Sequence, residues 1–198
     1  PKIDFELLNQ YKEGLICSTA CLAGPVAVNL YDSNKAKVDL IQAKKVLYDL
    51  KNIFHDDLYL EIQFHGMKPK EGQLLDMQSQ LMLNAVKISQ ECGVQLVVTN
   101  DCHYVKDTDR KLRNIIIADK RKDSIDDNED IRDYYDNEGQ YYLKTIDQMY
   151  GIFGKDYPEA ILNTLVIANK IELYDIVDKG HRLPKFSEDS EAIFKTKV

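Results

Sequence analysis

Leu58-Tyr59-Leu60-Glu61-Ile62-Gln63-Phe64 is a short apolar run carrying one carboxylate and one amide. Its length and its content of strand formers read as a β-strand. Two similar runs flank it, Leu15-Ile16-Cys17-Ser18-Thr19 upstream and Val94-Gln95-Leu96-Val97-Val98-Thr99 downstream. Helical periodicity fills the gaps. Residues 35–51 place Val38, Ile41, Val46, Leu47 and Leu50 at roughly 3.6 spacing. Residues 71–92 carry Leu74, Leu75, Leu81, Ala85 and Ile88 and stop at Gly93. Residues 107–120 are helical again. Strand, helix, strand, helix, strand, helix implies an α/β fold with parallel strands joined by right-handed crossovers.

Outside that unit, residues 1–13 read as a short helix with Ile3, Leu7, Leu8 and Tyr11 on one side, punctuated by Gly14. The stretch 119–139 is a mixed-charge run and reads as an exposed loop. Tyr141-Tyr142-Leu143 reads as a short extended segment. Thr145-Ile146-Asp147-Gln148 is a capping box opening a helix through Phe153. Pro158 suits the first turn of a further helix to about Ile171. Residues 180–186 read as a loop with an apolar anchor, and 187–198 as a polar, frayed end. No internal repeat is visible.

The chain has 198 residues, 44% hydrophobic and 30% charged, the size of one domain with or without a tail. Wholesale disorder is excluded by that balance. Lys plus Arg total 26 against 33 Asp plus Glu, a formal charge of −7. A chain that grips phosphate backbones unaided is usually basic, so the charge argues against autonomous nucleic-acid binding. No apolar run approaches the roughly 20 residues of a membrane-spanning helix, and the N-terminus lacks the pattern of a signal peptide. Four cysteines are too few for a disulfide scaffold and point to a reducing, cytoplasmic home. A first residue of Pro1 rather than Met suggests a piece of something longer.

In parallel α/β folds functional groups gather where strands end at their carboxyl side. Three places follow: Cys21, His65, and Asn100-Asp101-Cys102-His103. Glu61, Gln63 and His65 share strand parity, as do Asp101 and His103 if the strand geometry persists past Thr99. Each candidate has a bland reading beside the sharp one. Asp101-x-His103 is equally an Asx-turn with a surface histidine. Cys21 alone is more often a small buried hydrophobe than a ligand, and His65 reads equally as a turn residue before Gly66. Glu61 inside an apolar strand needs either a salt bridge or a polar cavity. Cys92 ends a helix and reads as core; Cys102 has the wrong parity to join its neighbours. A thiolate, an imidazole and a carboxylate at one edge suit zinc, or manganese or iron if water completes the shell, and such an ion activates water for phosphoester hydrolysis. Other chemistries fare worse. Neither a glycine-rich phosphate loop nor a GxSxG elbow occurs. The aspartate pairs Asp126-Asp127 and Asp107-x-Asp109 lie in stretches that read as loop or helix start.

Six spaced stretches carry a resemblance. They are Glu13 to Gly24, Leu58 to Gly66, Val98 to Tyr104, Tyr141 to Lys144, Pro158 to Thr164 and Leu183 to Phe186. In this order the chain resembles the bacterial replicative DNA polymerase III alpha subunits, in their PHP (polymerase and histidinol phosphatase) domain and the start of the segment after it. The resemblance implies a distorted (β/α)7 TIM-like barrel of which residues 1–155 are the C-terminal part. Residues 156–198 would then be a helical connector toward a polymerase core that is itself absent.

It also implies that Cys21, Asp101 and His103 occupy three metal-ligand positions, with Asn100 beside them and with Glu61 and His65 in supporting roles. The His-x-His segment of the family would lie upstream of Pro1, and Lys111 stands where many relatives have histidine. The palm aspartates would lie beyond Val198, so no catalytic residue of DNA synthesis is expected here. The implied parent is a DNA-directed DNA polymerase using magnesium, with zinc or manganese in an intact PHP site that in some members proofreads. Its partners would be the remainder of the alpha chain, DNA through other domains, and other replisome subunits, with no membrane. An open part-barrel would leave unpaired strand edges, an invitation to association. Two alternatives stand beside this reading: a free-standing PHP-type phosphoesterase and a non-catalytic interaction module.

Overall fold

In the computed structural model, which describes residues 3–31, 37–67, 75–121, 139–174 and 194–195, the elements follow in chain order. They are α1 (Phe5–Gln10), β1 (Cys17–Ser18), α2 (Leu40–Phe54), β2 (Leu58–Ile62), α3 (Met77–Cys92), β3 (Gln95–Val98), α4 (Arg110–Arg121), α5 (Ile146–Phe153) and α6 (Pro158–Lys170). The three strands form one sheet in the order β1-β2-β3, and both pairings are parallel. The α/β alternation read from the sequence is therefore present.

Every residue of β2 is buried, yet its two faces differ in chemistry. Leu58, Leu60 and Ile62 belong to the apolar core, with Ala43, Leu47, Leu50, Ile53 and Phe54 of α2 and Leu81, Ala85, Ile88 and Cys92 of α3. Cys17 and Val98, in register with Leu58 and Ile62, lie on that same face. The other face presents Tyr59, Glu61, Gln63 and His65 in period-2 alternation. Phe153 of α5 and Ala160 and Ile161 of α6 complete the apolar cluster.

Caps set where the helices start. Asp39 Oδ1 accepts from Gln42 N at 2.9 Å, so α2 begins at Leu40 and not at residue 35. Ile41, expected on the apolar stripe, is 81% exposed: at 100° per residue it lies on the side of α2 opposite Ala43, Leu47, Leu50 and Phe54. Asp76 caps α3 by accepting from Gln78 N and Ser79 N, which leaves Leu75 ahead of the helix and exposed; Leu74 lies outside the described residues. Gly93 ends α3 in the left-handed conformation at φ 62°. The first helix is shorter than residues 1–13: Asp4 caps it and the chain leaves helical geometry at Tyr11. Both halves of the Thr145–Gln148 capping box are made, and α6 starts at Pro158 as its sequence implies.

The charged run at 119–139 begins as the last turn of α4; residues 122–138, with Asp126 and Asp127, lie outside the described residues. Residues 180–186 do too. Asp107 and Asp109 form a short 3-10 turn before α4. The chain divides into two units, Pro1–Ala168 and Asn169–Val198. All of the sheet lies in the first. Of the second, the end of α6, residues 171–174 and residues 194–195 are described. No helix among the described residues is long and apolar enough to cross a membrane.

Candidate metal cleft

Because the strands are parallel, β1, β2 and β3 deliver their carboxyl ends to one side, and hydrogen bonds between side chains tie those ends together. Ser18 Oγ donates to Glu61 Oε2 at 2.8 Å, and Glu61 N donates to Thr19 Oγ1 at 3.0 Å. Gln63 Nε2 donates to Thr99 Oγ1 at 2.8 Å, and Gln63 Oε1 lies 3.2 Å from His65 Nε2. Buried polar groups persist only when satisfied in this way. Glu61, at 8% exposure, is held by a hydroxyl and not by a cation among the described residues. Its proximity adds to desolvation in pushing the Cys17 thiol above its ordinary value, burial being the larger cause.

Sharp turns follow the strands. Ala20 takes φ 61° after β1. Gly24 N then closes a turn on the Cys21 carbonyl at 2.8 Å, and a side chain at Gly24 would strike the Thr19 carbonyl. This turn leaves the Cys21 thiol half-buried. After β3 the extended geometry does not persist to Asp101, whose φ is 43°. Strand parity is therefore not what aligns Asp101 with His103. A left-handed turn does it instead, bringing His103 Nε2 to 3.5 Å from Asp101 Oδ1, both partly exposed.

The segment 139–144 closes over the strand ends. Gln140 N donates to the His65 carbonyl at 2.6 Å and His103 N to the Tyr141 carbonyl at 2.8 Å. Tyr104 and Tyr142 form a parallel bridge. The Tyr141 ring stacks on His65 at 4.3 Å between centroids, meets the His103 ring edge-on at 5.3 Å, and lies 4.9 Å from the Arg113 guanidinium. His65 is 1% exposed. Its Nδ1 lies 3.3 Å from the Gln140 carbonyl and its Nε2 3.2 Å from Gln63 Oε1, two acceptors, of which the neutral ring can donate to one. Burial pushes its pKa below the ordinary value, the Gln140 hydrogen bond and Asp101 opposing this and Lys144 and His103 adding to it.

Of the sequence candidates, the structure joins Asp101 with His103 and seats His65 beside them behind Tyr141. Glu61 sits lower on the polar face against Ser18, and Asn100 is tied to Tyr142 and Lys144. Among the described residues no three His, Cys, Asp or Glu side chains group so as to hold a metal ion. The residues present thus offer a carboxylate–imidazole pair and not a coordination shell, and a bound ion would need ligands from beyond them. Sequence reading gave no role to Gln63, Thr99, Tyr141 or Lys144. The parity of Gln63 with Glu61 and His65 was the available signal for the first. For Tyr141 and Lys144, far along the chain, there was none in periodicity.

Comparison with known proteins decides the kinship. Residues 1–65 match the PHP domain family, the match ending at His65 where the polar face reaches the cleft. The chain is 33% identical over 194 residues to DNA polymerase III subunit alpha of Borreliella burgdorferi, covering 94% of this chain and 15% of that protein. It is 31% identical over 178 residues to the subunit of Helicobacter pylori, 87% and 14% respectively. The chain is related to the bacterial DNA polymerase III alpha subunits. The subunit of Treponema pallidum gives 31% over 187 residues, again 94% of this chain and 14% of the relative. The chain thus spans about a seventh of the length of these alpha subunits. A match covering 94% of the chain includes Asp101 and His103, which lie far from both ends. The kinship with alpha subunits therefore extends past the PHP match to the far wall of the cleft.

Proposed function

We propose that this chain is a portion of a replicative DNA polymerase III alpha subunit. Residues 1–155 are the C-terminal part of its PHP domain, and 156–198 the connector toward the polymerase core. Its role is a scaffold, and Cys21, Asp101 and His103 line a partial metal cleft. The observation that carries this reading is the match to alpha subunits along nearly the whole chain, joined to parallel strands whose carboxyl ends gather polar side chains at one rim. The parent would be a magnesium-dependent, DNA-directed nucleotidyltransferase in the cytoplasm, meeting DNA through other domains and working with other replisome subunits. A zinc or manganese ion in a completed PHP site would supply Lewis acidity toward phosphodiesters, as in proofreading. The pair seen here does not complete that site.

Primer extension is the test. The 198-residue chain incorporates no deoxynucleotide, whereas the longer gene product containing it extends a primer. Incorporation by the short chain, or no synthesis by a long product, overturns the proposal. Hydrolysis of p-nitrophenyl phosphate by the short chain would instead favour the free-standing phosphoesterase. For the cleft, zinc and manganese bound to the longer product fall in Asp101→Ala and His103→Ala; unchanged metal content refutes the ligand assignment.

A further inference from the structure

Lys144 is only 7% exposed, and its contacts among the described residues are neutral. Nζ donates to Asn100 Oδ1 at 2.8 Å and to the Gln140 carbonyl at 3.1 Å, and it lies 4.6 Å from the centre of the Tyr142 ring. Taking an ammonium out of water without a directly bonded carboxylate costs free energy, and burial pushes Lys144 below its ordinary pKa, with Cys102 and the Asp107 charge opposing. Two carbonyl-type oxygens and an aromatic face recover part of that cost.

The arrangement has a directional consequence. A lysine only donates, so the Asn100 amide must turn its oxygen toward Lys144. Its Nδ2 is thereby aimed the other way, at the Tyr142 carbonyl and at Cys102 Sγ, 3.4 Å off. Both ends of one amide are fastened, and the next residue is Asp101 in its left-handed turn. Aspartate enters that conformation more readily than most non-glycine residues, and fixed neighbours on the chain select it. The Gln140 carbonyl that receives Lys144 also faces His65 Nδ1, so one ammonium bears on both histidines flanking Tyr141.

We propose that Lys144 is the positioning residue of the cleft: its ammonium orients Asn100, and through Asn100 it fixes the turn that brings Asp101 and His103 together. This rests on reading those two residues as the cleft rim. The test uses the 198-residue chain labelled at its four histidines and observed by NMR. In Lys144→Met the His103 ring protons lose the shift imposed by the Tyr141 ring edge, and the amides of His103 and Leu143 exchange about tenfold faster or more. Amides of β2 keep their protection. Asn100→Ala gives the same signature, and the double variant adds nothing to either single one. Unchanged His103 signals in a folded Lys144→Met chain, or additive effects in the double variant, overturn the proposal. Should Lys144→Met fail to fold, Asn100→Ala alone decides through the same two readouts. Unchanged metal content in Asp101→Ala would remove the metal assignment and leave this clasp standing.

Discussion

Replacing Gly139 by alanine tests how the segment over the strand ends is seated. Gly139 has φ 99°, a region that L-residues rarely adopt. An added Cβ would also lie 2.9 Å from His65 Cβ, 3.0 Å from the His65 carbonyl oxygen and 3.0 Å from Met67 Cγ. Two of those three atoms belong to backbone or to a Cβ and cannot swing aside. Conformational strain of about 1–2 kcal/mol and overpacking of about 1–2 kcal/mol together give a loss of about 2–4 kcal/mol. For a chain of this size that corresponds to a melting temperature lower by about 5–15 °C. Gly151→Ala is the internal control, because Gly151 lies inside α5 with nothing within 4 Å of an added Cβ. That change stabilises by about 0.5–1 kcal/mol. Urea and thermal unfolding followed by far-ultraviolet circular dichroism read both. Gly139→Ala within about 0.5 kcal/mol of the parent, or a shift of the same sign as Gly151→Ala, would show that residues 139–144 are not packed on His65 as described.

Three further outcomes follow. His65 binds its proton less tightly folded than unfolded. The unfolded chain therefore takes up more protons below about pH 6.5, and stability falls as the pH drops from there toward the folded value; His65→Gln flattens that stretch of the stability–pH curve, and an unchanged slope refutes the assignment. Cys17, its thiol raised by burial and by Glu61, reacts with iodoacetamide more slowly than the exposed Cys102; mass spectrometry of time points shows the order, and equal rates would count against it. Asp76→Ala removes acceptors for Gln78 N, Ser79 N and Ser79 Oγ and costs about 1–2 kcal/mol, read by urea unfolding. A loss within error would mean that α3 is not anchored by this cap.

The sequence alone determined the strand–helix alternation, the parallel sense of the strands, the Gly93 stop, the Thr145–Gln148 cap and the Pro158 start. Each of these depends on local periodicity or on the conformational limits of one or two residues, and both are written in neighbouring positions. It also selected the rim, because parallel strands must end on one side. Only the tertiary structure decided what the rim contains. Asp101 meets His103 through a left-handed turn held from Lys144 and Tyr142, more than 40 positions away; no spacing rule reaches that far. Likewise Glu61 is content with a hydroxyl because β1 brings Ser18 alongside it. Local order follows from short-range sterics and period. The chemistry of the cleft follows from which distant segments the fold lays against one another.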